Sequence, residues 1–458
     1  MENTAAAMEN PESLNIGQLT AGTNGPETSN HTIRVVYEST PTQEAIDGIR
    51  FDFASGFRIH YTGKGKKKYH IVMTDADSDL VMFEGDIKAG QAVTGNTKYY
   101  IRYSLSLERG GKTVFTHEMS LRGKRVYLML PQGALGDGLA WLPVAEQFRL
   151  RHGAEVTVIM GQWLIDLAGR LYPGITFLPA EQQQRLEGAY AAYFLGMHGK
   201  EHETWRPVPP QHLSLQQMAQ SILGLPFEVL KCRLPMGTRR VVQEPYVCIS
   251  TLATNRCKNW NFPGGWTDVV AWLKSLGYRV FDIDRDAALK YGEVIDQMPP
   301  NAENMTGHRP ILERIAILEH ADFFIGLASG LSWLAWELGV PVVQISGFTL
   351  PGSEFYTPYR VQNLNFCAGC WNDPSCEFSR TKATWCPRHE GTESEIACTY
   401  AVTPKMVKDT ILRIPQLQER LVWFQREKER LDAEKKEEQP EEKPARRKKK
   451  AGTENSPK

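Results

Sequence analysis

Five of the chain's eight cysteines fall within NFCAGCWNDPSCEFSRTKATWCPRHEGTESEIAC, residues 365–398, and the first two, Cys367 and Cys370, form a C-x-x-C pair. That spacing lets two thiolates from one turn face the same ion, and any two of Cys376, Cys386 and Cys398 would complete a tetrahedral four-sulfur site. Cys386, beside Trp385 and before a proline, and Cys398, after a polar excursion that can loop back, are the expected partners, with Cys376 the spare. Four protein ligands leave no open position for water or substrate, so a metal here would be structural; sulfur ligation alone suits zinc or iron. A disulfide or free thiols is the plainer alternative.

Three other stretches carry residues suited to chemistry. GALGDGLAW, residues 133–141, lies between an apolar run and a helical pattern. Its glycines permit close approach of a ligand to the backbone, and Asp137 is either a helix N-terminal cap or a general base for an attacking hydroxyl. STLATNRCKNW, residues 250–260, comes after a strand-like run and offers the Thr254 hydroxyl and the Lys258 charge to diphosphate oxygens. In GLASGLSWLAWELG, from Gly326, Ser329 and Gly330 open a helix directly after a strand, where successive N–H groups can cradle phosphate.

Periodicity gives the elements that must position these residues. Residues 33–122 hold short alternating runs such as KYHIVMTD and KYYIRYSLSL, separated by GKGKK, DADSD and ERGGK, the pattern of an antiparallel β domain. From residue 123 the period changes to strand–helix alternation: RVYLMLP, then LAWLPVAEQFRLRHG, EVTVIM and GQWLIDLAGRLYPG. A second such unit spans 241–365, with YVCIST, YRVFDID, DFFIGLA and PVVQIS as strands. Two doubly wound parallel halves are expected, 123–240 and 241–365, with ligands held beyond the carboxyl ends of strands in the cleft between them. A cysteine finger is expected over 366–400 and a C-terminal helix over 401–436, while residues 1–32 and 437–458 are expected to be disordered.

Composition limits the function classes. Lys plus Arg equals Asp plus Glu at 53 each, so no overall basic field argues for nucleic acid, and RRKKK at 446–450 reads as part of a solvated tail. No apolar run reaches the roughly 20 residues that a membrane helix needs, and the opening residues lack the pattern of a secretory signal. A cytoplasmic protein is expected, in which clustered cysteines favour metal over disulfides.

Together, GALGDGLAWLPVAEQFR, the T-x-x-x-K-x-W of Thr254–Trp260, and TGHRPILERIAILEHADFFIGLASGLSWLAWELGVPVV from Thr306 resemble the heptosyltransferases, GT-B glycosyltransferases that use ADP-heptose. Ala328 stands where that pattern usually has an acidic residue and Trp333 where it has a histidine, which points away from a lipopolysaccharide acceptor. A leading β domain and a late cysteine motif are similar instead to the bacterial autotransporter heptosyltransferases of the TibC type. The resemblance implies an α/β GT-B enzyme that adds heptose to serine hydroxyls of an autotransporter adhesin by inverting, metal-independent transfer. It also implies a homo-oligomer, a dodecamer, with no nucleic-acid or membrane partner. Asp137 would be the base and Thr254, Lys258, Ser329, Gly330 and Leu331 would hold the donor. Iron, with zinc as the alternative, would be bound by Cys367, Cys370, Cys386 and Cys398. The rival readings are a lipopolysaccharide-type or other nucleotide-sugar transferase, and a non-catalytic scaffold whose finger binds a partner.

Overall fold

The computed structural model describes residues 6–7, 33–130, 134–196, 200–379 and 381–438. The disorder expected at both ends falls mostly outside these residues; Ala6–Ala7, within the first of those stretches, pairs antiparallel with Gln91–Thr94.

The β domain consists of two antiparallel sheets. In one, Lys68–Asp75 lies between Val81–Lys88 and Tyr103–Arg109, with Lys112–Glu118 at the edge. Alternation decides which face is buried: Tyr69, Ile71 and Met73 point inward, as do Tyr103, Leu105 and Leu107 on the neighbouring strand. Backbone as well as side chains join this domain to the first parallel half. Phe53 N–H donates to the Tyr190 carbonyl (2.8 Å), and Phe53 bridges Ala191 at the edge of the parallel sheet.

That sheet has the strand order Thr176–Pro179, Glu155–Met160, Arg125–Met129, Ala191–Phe194. Its strands are largely apolar along their length because helices cover them, as with Val126 and Leu128 facing the Leu135–His152 helix side of the core. The second half has six parallel strands, Glu303–Asn304, Arg279–Asp282, Tyr246–Ile249, Phe324–Gly326, Val342–Ile345 and Arg360–Val361, in that spatial order. The strand order reverses direction at Tyr246–Ile249, so the loops after this strand and after Phe324–Gly326 lie side by side at the carboxyl edge. Beyond the finger the helical stretch is interrupted: Pro404–Ile411 and Pro415–Glu438 are separate helices, because Pro415 has no N–H to continue the first.

The halves meet at two helix N-termini. A Cβ on Gly330 would lie 2.8 Å from Leu135 Cβ and 2.9 Å from Gly136 N, and one on Gly136 would lie 2.9 Å from Trp333 Cδ1. Only hydrogen fits at either position. Trp333 closes the contact from behind, stacked edge-on against Phe355 (5.1 Å between centroids) and Trp336 (5.7 Å). This packing accounts for the tryptophan where the heptosyltransferase pattern has histidine: the position is a buried apolar wedge between halves.

Gly330→Ala should therefore cost about 1–3 kcal/mol of stability by overpacking this contact. Gly169→Ala, in the Gln162–Leu171 helix with open space around it, should instead stabilise by about 0.5–1 kcal/mol. Denaturant unfolding of the two variants against the parent checks the opposite signs.

Candidate active site and cysteine finger

Asp137 is the third residue of the Leu135–His152 helix, and its Oδ2 accepts the Ala134 N–H at 3.2 Å. The capping role is thus realised, and it fixes the carboxylate at the mouth of the interdomain contact, one residue from Gly136. Gly133, in the same glycine-rich bend, lies outside the described residues.

On the opposing half, Ser329 caps the Gly330–Glu337 helix with extended backbone, and its side chain makes no capping bond. Among the described residues its buried Oγ has no hydrogen-bond partner. A buried hydroxyl left unpaired carries a free-energy cost. Gly330 and Leu331 come next as the first helical residues, with their N–H groups at the positive end of the helix.

The adjacent loop carries the other two candidates. Thr254 is exposed, and Lys258 closes a short 3-10 turn, Arg256–Lys258, with Nζ 5.3 Å above the Phe348 ring. The loop is held by asparagines that sequence reasoning did not single out. Asn259 Oδ1 accepts from Ala253 N–H (2.9 Å) while its Nδ2 donates to Asp296 (3.0 Å); Asn255 Oδ1 accepts from Cys257 N–H (3.1 Å). Their repeated appearance in ATNRCKNWN was the available signal, since buried asparagines each satisfy several backbone groups. Trp260, last residue of the motif, is a core residue whose indole donates to the Val402 carbonyl (2.7 Å).

Two buried carboxylates anchor the start of the same loop. Asp284 accepts from Ser250 Oγ (2.5 Å), Thr251 N–H (2.6 Å) and Leu252 N–H (2.9 Å), and Asp282 accepts from Asp284 N–H (3.1 Å). Burial, then the neighbouring Asp284 charge, pushes Asp282 up to about 8; burial also raises Asp284. Asp284 receives the larger set of donors, so the pair is best described as one ionised and one protonated acid, with the proton on Asp282.

Cys370, Cys376, Cys386 and Cys257 are buried in one cluster with Phe348, Trp385 and Ile396, and Cys367 packs on it. Cys398 approaches from the Gly347 side, its Cβ 2.8 Å from where a Gly347 Cβ would stand. Among the described residues no three His, Cys, Asp or Glu side chains converge as a ready-made metal site. Local geometry nevertheless suits the expected donors. Gly369, inside the C-x-x-C turn, is left-handed at φ 71, and Ile396 is left-handed at φ 53, which a β-branched residue adopts only under constraint. That strained turn precedes Cys398 and aims the Ile396 N–H at Cys386 Sγ (3.2 Å). Burial, with Cys367 next to it, pushes Cys370 up to about 12, and burial with Cys386 and Cys367 does the same to Cys398. Burial therefore favours the neutral thiols; sulfur is a donor type suited to a structural metal, and a bound cation would have to ionise these side chains and draw them together. Cys376 and Cys257 share the cluster, Cys257 with its thiol raised by burial.

Two parallel-sheet halves that meet at the N-termini of two helices have the architecture of a GT-B glycosyltransferase. Residues 46–111 match the family described as glycosyltransferase TibC, N-terminal domain, and residues 201–385 match glycosyltransferase family 9 (heptosyltransferase). The chain is 40% identical over 389 residues to the autotransporter heptosyltransferase TibC of Escherichia coli O78:H11, covering 84% of this chain and 95% of that one. A crystal structure of dodecameric iron-containing heptosyltransferase TibC in complex with ADP-D-β-D-heptose superposes with a TM-score of 0.77 at 40% identity, over 82% of this chain and 98% of the other. BimC of Burkholderia thailandensis, named an inactive autotransporter heptosyltransferase, is 35% identical over 82% of this chain and 88% of its own length. The chain belongs to the autotransporter heptosyltransferase family, within glycosyltransferase family 9.

The Asp282–Asp284 pair makes stability depend on pH. A carboxyl raised to about 8 when folded, against an ordinary value of 3.8, binds a proton in the folded state that the unfolded chain has released. Its contribution is complete below the unfolded value and is lost as pH rises toward 8. Denaturant unfolding should show stability declining from about pH 5 to 8, and Asp282→Asn, which cannot ionise, should flatten that decline.

Proposed function

We propose that this chain transfers heptose from ADP-heptose to serine hydroxyls of an autotransporter adhesin, with inversion and with no divalent cation at the donor phosphates. The observation that carries this reading is the Gly136–Gly330 contact, which holds Asp137 beside the helix N-terminus that opens at Ser329 and Gly330. The serine oxygen attacks the anomeric carbon as Asp137 takes its proton, while the bond from that carbon to the diphosphate oxygen breaks on the opposite face. The departing ADP carries its charge toward Lys258, Thr254 and the N–H groups of Ser329, Gly330 and Leu331. The Ser329 hydroxyl, at the start of this helix, would give one phosphate oxygen a further donor. The ADP-heptose complex of the TibC relative supports the donor, and the family's name supports the acceptor class.

Iron held by Cys367, Cys370, Cys386 and Cys398 is proposed as structural, with zinc the alternative; the iron content and dodecameric state of TibC support it and a homo-oligomer here. A cytoplasmic location is proposed with it, where clustered cysteines favour metal over disulfides. No helix among the described residues is long and apolar enough to cross a membrane. The inactive relative motivates a second reading, a non-catalytic family member.

Co-expression with an autotransporter passenger, followed by intact mass, separates the two: heptose adducts on serines support transfer, and an unmodified passenger overturns it. Asn at position 137 keeps an oxygen for the Ala134 N–H, so Asp137→Asn should fold and bind ADP normally yet lose transfer by about 10²- to 10⁴-fold. Transfer at the parent rate would remove Asp137 from the role of base. Lys258→Ala should weaken ADP binding as well as turnover, and calorimetric titration with ADP that finds equal affinity would exclude Lys258 from the phosphate site.

A further inference from the structure

The finger and the donor loop are bonded to one another along most of the loop's length. Asn255 Nδ2 donates to the Lys382 carbonyl (2.8 Å), and its Oδ1 accepts from Trp385 N–H (3.4 Å) as well as from Cys257 N–H (3.1 Å). Arg256 N–H donates to the Ala383 carbonyl (3.1 Å), and Asn261 Nδ2 donates to Thr399 Oγ1 (2.9 Å). The Cys257 side chain is buried among the finger's own cysteines. Lys258, next in sequence, stands over Phe348, whose ring packs on Trp371, Phe378 and Trp385 of the finger.

We infer that the cysteine finger is a working part of the donor site, with Asn255 as the positioning residue that couples metal occupancy to ADP-heptose affinity. The inference rests on the proposed donor role of Lys258. A metal that closes Cys367, Cys370, Cys386 and Cys398 together fixes the 382–385 backbone, and Asn255 hands that order on to the Arg256–Lys258 turn. Without it the turn loses three backbone anchors and the lysine must be ordered by the ligand itself, which lowers affinity. The finger's hydrogen bond to the first half, from Asn372 Nδ2 to the Gln211 carbonyl (2.8 Å), lies outside the Leu135–His152 helix that carries Asp137.

The test uses the metal-loaded full chain and two variants. Asn255→Ala removes all three bonds; Asn255→Asp keeps the oxygen that receives Cys257 and Trp385 but loses the donor to Lys382. Metal content, by elemental analysis, should match the parent in both. ADP affinity by calorimetry should fall at least about tenfold in the alanine variant and less in the aspartate variant, with the KM for donor raised and that for acceptor unchanged. In a second arm, chelator extraction of metal from the parent should weaken ADP binding to a similar degree. Parent-like ADP affinity in metal-replete Asn255→Ala, or in the metal-stripped parent, overturns the coupling. Failure of the untreated parent to bind ADP at all would instead overturn the donor reading on which it rests.

Discussion

The contact of Gly136 with Gly330 is the constraint around which the molecule is arranged. Each glycine sits at the start of a helix that itself begins where a parallel strand ends, so joining them joins the carboxyl edges of both sheets. A side chain at either position would hold the halves apart. The interdomain wedge of Trp333, Trp336 and Phe355 makes this approach favourable by burying aromatic surface around it. The β domain adds to the same core from the other side, since its Phe53 and Tyr103 rings stack and Phe53 meets Tyr190 of the first half.

Polar order within the second half runs inward from two directions. Asp282 and Asp284 secure the first residues of the donor loop from inside the sheet, using backbone N–H groups that a strand end leaves unpaired. The finger secures the remainder from outside through Asn255, Arg256 and Asn261. Between these supports Thr254 is exposed and Lys258 is half-buried, with its Nζ over the Phe348 ring. The conspicuous cysteines thus pack against the loop that carries Thr254 and Lys258, joined to it by the hydrogen bonds of Asn255, Arg256 and Asn261.

Much of this was legible in the sequence. Alternating runs marked the β domain, the change to strand–helix alternation marked two parallel halves, and the glycine-rich bend and helix openings marked where ligand-facing groups would lie. The asparagine anchors were harder, because an asparagine in a loop reads equally as a solvated turn residue until its partners are known. Asp282 and Asp284 were hidden for a related reason: FDID reads as an ordinary alternating strand end, and only burial distinguishes a structural acid from a surface one. Cys257 looked like an isolated core residue, being more than a hundred positions from the cysteines it packs against.

The sequence by itself determined the order of elements, the family, and the residue types offered to chemistry, since periodicity, turn residues and motif spacing are local properties. Tertiary structure alone decided which of those residues meet. Asp137 could be a cap or a base from spacing alone; its helix uses it as a cap while the glycine contact sets it against the other half. The finger could have faced solvent, an acceptor or another subunit. It packs on the loop that carries Thr254 and Lys258, where the buried Asn255 is hydrogen-bonded to Lys382 and Trp385 and Cys257 lies among the finger's cysteines. Such pairings depend on distances between residues far apart in sequence, which no local pattern encodes.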